Sequence, residues 1–202
     1  MVLVLPRSLF FHIPKTGGSW VRTAIENAGI PTRQVHDKHW EPGKFFETED
    51  GRACMSDGVF TFSFVRHPLT WHQSFWGFCM DGNWKYSNAW HTTFCASGYF
   101  DVYMRNKLCR DSGRVSKIYK EFTADVRTPL HFIGRQESLV DDLVKALQLA
   151  EEDFDEEKLR ATPMENQGGS LPRWKKFCTY TPELEEEVRE SERWAMEMFG
   201  YI

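Results

Sequence analysis

Residues 8–28 restrict the fold more than any other part of the chain. Ser8-Leu9-Phe10-Phe11-His12-Ile13 is short, apolar and aromatic, the pattern of a buried strand. It runs directly into Pro14-Lys15-Thr16-Gly17-Gly18-Ser19. From about Ser19 to Ala28 the apolar residues Trp20, Val21, Ala24, Ile25 and Ala28 share one helical face, and Gly29 supplies a C-terminal stop. A strand turned by glycines into a helix must fold that helix back onto a sheet. The same turn suits anion binding. Glycines allow close approach of the backbone, and the N–H groups and partial positive charge of the helix start point at the ligand. Lys15 adds a full charge, and Thr16 and Ser19 add hydroxyl donors. The plainer alternative is a tight turn with a solvent-facing lysine.

The rest of the chain continues the alternation. Residues 33–36 form a short second strand, and Val59 to Val65 is the clearest strand, ending at Arg66-His67-Pro68, where Pro68 opens a helix. Residues 80–98 read as a long loop, with helices near 99–109 and 114–123. Leu130 to Ile133 is a strand, and Glu137 to Leu149 an amphipathic helix with Leu139, Leu143, Ala146 and Leu147 inward. A final helix starts at Pro182 behind a Thr181 cap and runs to about Phe199. The expected fold is α/β: one domain over residues 1–202, a central parallel sheet flanked by helices in three layers. Sites in such sheets lie at the carboxyl ends of the strands, so Lys15 and Arg66, each just after a strand, are expected in one cleft.

Composition narrows the partners. A net charge of −4 argues against general nucleic-acid binding. No apolar run approaches the roughly 18 residues a membrane span needs, and residues 1–6 lack the basic start of a secretory leader. A soluble, cytoplasmic protein is expected. Five cysteines with no CxxC pair fit free thiols in a reducing compartment, with a disulfide among Cys79, Cys95 and Cys109 as the alternative.

The glycine loop does not match G-x-x-x-x-G-K-[ST], because its lysine precedes the glycines. The stretch from Phe11 to Trp20 instead closely resembles the 5′-phosphosulfate loop of the sulfotransferases that use 3′-phosphoadenosine-5′-phosphosulfate (PAPS), in the branch that includes carbohydrate sulfotransferases. Phe64-Val65-Arg66-His67-Pro68 with Ser74 resembles the family's 3′-phosphate motif. Residues 132–137 and the ending from Tyr180 also resemble family blocks, so the likeness covers most of the chain except 80–115. The resemblance implies a P-loop-like fold and transfer of a sulfuryl group from PAPS to a hydroxyl or amine, leaving adenosine 3′,5′-bisphosphate (PAP). It implies that Pro14, Lys15, Thr16, Gly17, Gly18, Ser19 and Trp20 hold the 5′ side of the donor, with Lys15 at the bridging oxygen. It implies that Arg66 and Ser74 hold the 3′-phosphate, that a basic loop at Arg173, Lys175 and Lys176 closes over the nucleotide, and that no metal is required. The acceptor would be a glycan or another hydroxylated small molecule, without nucleic acid or membrane as partner.

An acceptor hydroxyl needs a base. His36 and His39 follow the second strand, and a histidine accepts a proton near neutral pH. Asp37 and Glu41 are the acidic alternatives. His12 and His67 read as structural members of their motifs. The aromatics from Trp71 to Phe94 read as helix packing and a lid, or as a wall for a sugar ring. Two other functions share this architecture. An ATP-dependent kinase would need a magnesium-binding acid at a strand end, for which Asp37 is the best candidate. A non-catalytic nucleotide-binding protein would keep the fold alone.

Overall fold

The structure is a computed structural model that describes residues 1–35, 39–56, 58–85, 93–124, 130–164 and 173–201. Its packing divides the chain into two compact units, Met1–Arg66 with Ile118–Pro163, and His67–Lys117 with Met164–Ile202.

The first unit is built on a five-stranded sheet: β1 (Val2–Val4), β2 (Ser8–Phe11), β3 (Arg33–Val35), β4 (Phe60–Val65) and β5 (Phe132–Arg135), in the order β3-β1-β2-β4-β5. The expected α/β class holds, but the sheet is mixed rather than wholly parallel. β2, β4 and β5 are parallel neighbours, whereas β1 runs antiparallel to both β2 and β3. The apolar start of the chain is therefore a core strand. Pro6 does cut the run short, but as the corner of a hairpin in which the Leu5 N–H donates to the Ser8 carbonyl at 2.9 Å. The hairpin is pinned by the buried Glu152 carboxylate, which accepts from the Arg7 N–H at 2.9 Å and the Ser8 hydroxyl at 2.7 Å.

Among the described residues this unit holds the helices α1 (Gly18–Asn27), α2 (Pro42–Phe46), α3 (Glu49–Ser56), α7 (Leu139–Leu149) and α8 (Glu156–Arg160), together with the end of a helix shared with the second unit. Short α2, α3 and α8 were not expected from periodicity. One or two turns give too few repeats for a 3.6-residue pattern to stand out. The core joins Leu3, Phe10, Phe62 and Phe64 of the sheet to Trp20, Val21, Ala24 and Ile25 of α1 and to Leu139, Leu143, Ala146 and Leu147 of α7. α1 and α7 thus present the faces their sequences predict. β5 begins and ends two residues later than expected, because it continues through Gly134. A Cβ there would lie 2.5 Å from the Phe64 ring and 2.9 Å from Asp142 Cβ, so only glycine lets α7 close over that strand.

The second unit contains α4 (Pro68–Asp81), α5 (Phe100–Arg110), the start of α6 (Arg114–Thr123), α9 (Pro182–Ser191) and α10 (Arg193–Met198). Its core gathers Leu69, Trp76, Phe100, Tyr103, Met104, Leu184 and Val188. Pro68 and Pro182 take the first turns of their helices, behind His67 and Thr181 caps whose side chains accept from Leu69 and Leu184 N–H groups. The expected single C-terminal helix is interrupted at Glu192, and the reason is polar. Glu192 is 1% exposed, and its carboxylate accepts from the N–H groups of Val115 and Ser116 at 3.0 and 2.8 Å. It also accepts from the Ser116 hydroxyl at 2.7 Å and from His72 Nε2–H at 3.2 Å. The carboxylate caps the first turn of α6 from another helix. The neighbouring Ser191 hydroxyl accepts from the Gly113 N–H at 2.8 Å.

All five cysteines are free thiols, which removes the disulfide alternative. Among the described residues no helix is long and apolar enough to cross a membrane.

Candidate functional site

The carboxyl ends of β2, β4 and β5 lie along one edge of the sheet, as the registers Phe11↔Ser63 and Val65↔Arg135 require. β3 delivers its end to the same edge. Val2 pairs with both Phe11 and Val35, so antiparallel β1 acts as a spacer between two strands of like direction.

The loop from Pro14 to Gly17 turns through two left-handed residues, Lys15 at φ 65° and Gly17 at φ 91°. Glycine accepts this conformation freely, but for lysine it costs on the order of 1–3 kcal/mol. The surroundings hold it there. The Arg66 guanidinium donates to the Lys15 carbonyl at 3.3 Å. Arg66 is fixed in turn by buried Tyr119, whose hydroxyl accepts from the Arg66 N–H at 2.8 Å and donates to the Arg66 carbonyl at 2.6 Å. The Thr16 hydroxyl donates to the Ile13 carbonyl at 2.8 Å and so braces the loop. Ser19 is exposed on the first turn of α1. The Trp20 indole is 2% exposed and donates to the Thr162 carbonyl at 3.4 Å, which leaves only its backbone N–H for a ligand.

Gly17 caps α1 with no side-chain bond, and the first turn of α1 carries no acid. The start of α7 differs: Asp141 and Asp142 lie in its first turn, and Asp142 already accepts from the Arg135 N–H and the Ser138 hydroxyl, both at 2.7 Å. Of these two helix starts, α1 is therefore the one electrostatically open to an anion.

Two histidines border the loop. The His12 ring lies on Gly18 so closely that a Cβ there would be 2.0 Å from His12 Cδ2. The rings of His12 and His39 meet edge to face at 4.7 Å. His39 Nδ1–H donates to the His12 carbonyl at 3.0 Å, a bond that only this tautomer can make, and it leaves Nε2 as the basic nitrogen. Burial pushes the His12 imidazole down to about 3, helped by His39, the chain's amino group, Lys15 and Arg22, so it is neutral at physiological pH. His39 is also shifted down, chiefly by burial and against the bond to the His12 carbonyl. The Lys15 charge acts on both rings. Arg22, one turn into α1, is a cation of this edge that sequence reading did not single out; helical spacing from the loop was the available signal.

The structure thus brings together Lys15, Gly17, Gly18, His39 and Arg66. Glu41, an alternative base, is instead engaged by Lys44 at 2.9 Å. His36 and Asp37 lie outside the described residues, as do Tyr86 and Trp90 of the aromatic stretch. Ser74, Arg173, Lys175 and Lys176 belong to the second unit. There Ser74 is buried in α4. Arg173 lies over the Trp174 ring at 4.9 Å and 3.9 Å from Asp81, and Lys176 over the Phe177 ring at 4.9 Å. Phe75 stacks on Trp71 at 5.2 Å and Trp84 packs near Tyr103, so these aromatics are packing groups. His67 caps α4 and its ring lies 5.0 Å from Tyr201. Among the described residues no cluster of three or more His, Cys, Asp or Glu side chains has the grouping of a metal site.

Neither a family model, nor a curated protein, nor a solved structure matches the chain.

Gly18→Ala is expected to lower stability by about 1–3 kcal/mol, because the methyl must displace the His12 ring from a packed position. Thermal melts of the variant and the parent measure this. Equal midpoints would show that the ring turns aside without cost.

Proposed function

We propose that this protein is a PAPS-dependent sulfotransferase of P-loop-like architecture, acting in the cytoplasm on a hydroxylated acceptor such as a glycan. The observation that carries the reading is the α1 anion loop. It has a lysine before its glycines, an acid-free helix start, and an arginine from the end of the adjacent parallel strand donating to the lysine carbonyl. A lysine in that position suits a leaving group whose charge develops on an oxygen beside the loop. Free thiols at Cys79, Cys95 and Cys178 accord with a reducing compartment.

In the proposed reaction the acceptor oxygen attacks sulfur in line, and the bond from sulfur to the bridging oxygen breaks. The electron pair stays on the 5′-phosphate of PAP, where Lys15 and the first N–H groups of α1 stabilise it. The acceptor proton passes to His39 Nε2, the nitrogen left basic by the bond from Nδ1–H to the His12 carbonyl. A transfer of this kind needs positioning and charge neutralisation more than covalent help from the protein.

Calorimetry tests the reading. PAP is expected to bind in the absence of magnesium, and His39→Ala to keep that binding while losing sulfuryl transfer. Binding of Mg-ATP in preference to PAP would overturn the proposal in favour of a kinase. Loss of transfer in His36→Ala but not in His39→Ala would move the base to His36.

A further inference from the structure

The direction a side chain would take at Gly17 leads to the start of α7. A Cβ there would lie 2.6 Å from Leu139 Cδ2 and 3.7 Å from Gln136 Cγ. The Gln136 side chain therefore lies along the residue that caps α1. Gln136 opens the 3-10 turn Gln136–Ser138 immediately after β5. Since Val65 pairs with Arg135, Gln136 leaves β5 at the level where Arg66 leaves β4.

This placement is rigid at its base. Asp142 holds the turn through the Arg135 N–H and the Ser138 hydroxyl, and Leu139 beside it is 3% exposed. Gln136 itself is only half-buried. The chemistry of the side chain fits the place. A carboxamide offers two N–H donors without charge, whereas a carboxylate here would oppose any anion on the loop.

We propose that Gln136 is a further donor-binding residue, which closes the β5 side of the loop and donates its amide N–H to the phosphosulfate group held at Lys15 and Gly17. This rests on the sulfuryl-donor reading for the identity of the nucleotide, but the contact itself requires only an anion on the loop. The donor is thus gripped from three strand ends: by the loop after β2, by Arg66 after β4 and by Gln136 after β5.

The test is calorimetry on the full chain with two probes, PAP and inorganic pyrophosphate, for the parent, Gln136→Glu and the nearly isosteric, uncharged Gln136→Met. Gln136→Glu is expected to weaken both probes tenfold or more, and Gln136→Met to weaken both severalfold, with thermal midpoints near the parent's. Unchanged affinities in both variants would overturn the proposal. If Gln136→Glu does not fold, Gln136→Met alone decides, and parent-like binding sinks the idea. A parent that binds pyrophosphate but not PAP, with the same loss in Gln136→Glu, keeps the contact and overturns the nucleotide reading. A parent that binds neither probe overturns both.

Discussion

If the protein is the sulfotransferase proposed above, Lys15→Ala is expected to lower kcat for sulfuryl transfer by about 10²–10³-fold while PAP affinity falls much less. The asymmetry follows from where the charge is needed. Before transfer the bridging oxygen shares its electrons with sulfur. As the bond breaks it becomes a full phosphate oxygen, and a fixed cation beside it is worth most at that moment. The loss expected when one such preorganised group is removed is about 3–4 kcal/mol of transition-state stabilisation. Lys15→Gly separates this from the backbone. Position 15 has φ 65°, so glycine relieves strain that both lysine and alanine bear. Lys15→Gly should therefore be at least as stable as the parent in a thermal melt, yet as slow as Lys15→Ala. If PAP affinity and kcat fell by equal factors in both variants, Lys15 would be a ground-state binding residue and its role at the leaving oxygen would be lost.

Glu192→Ala is expected to destabilise the second unit by about 3–5 kcal/mol, the range for removing one partner of a buried charged network. Four donors converge on this carboxylate: two N–H groups and a hydroxyl from the start of α6, and the His72 imidazole. Truncation leaves all four buried without an acceptor. The pH dependence has a definite sign. Burial alone raises the Glu192 carboxyl, but the bonds from His72, Ser116 and Val115 outweigh it and hold the group below its ordinary value of 4.5. A depressed carboxyl contributes stability that is fully present above the unfolded value and disappears as pH falls through the folded one. Urea unfolding of the parent between pH 7 and pH 3 should show this acid limb. In Glu192→Gln the contribution from this position should vanish, with a lower stability at pH 7. An identical acid limb in parent and Glu192→Gln would assign the pH dependence to other carboxylates.

The legible parts of this fold were those in which local pattern and tertiary role coincide. The aromatic run from Ser8, the glycine loop and the apolar face of α1 agree with one another, and the structure assembles them as one strand–loop–helix unit. β1 was not legible, because a run of five apolar residues before a proline carries no period, and its Val2–Val4 becomes a strand through pairing with β2 and β3 on either side. The break at Glu192 was hidden for a related reason. Its helical pattern is sound, and only distant donors on α6 and α4 make it turn inward. At the site, charge and glycine placement were readable, whereas the orientation of groups was not. The Thr16 hydroxyl turns back to brace the Ile13 carbonyl, which no local pattern announces, whereas the burial of Trp20 follows from its place on the apolar face of α1. The meeting of His12 with His39 was not legible because it is a tertiary contact: the sheet order carries the ends of β2 and β3 to one edge with β1 between them.

The bond that sets the His39 tautomer ends on a main-chain carbonyl, not on a side chain. Every amino acid at position 12 brings the same acceptor, so the proton arrangement at His39 has no partner residue that must change with it. Evolutionary drift at position 12 is limited by the space over Gly18, while the hydrogen-bonding requirement is met by the backbone path alone. A search for residues that covary with His39 would therefore pass over the group that orients it.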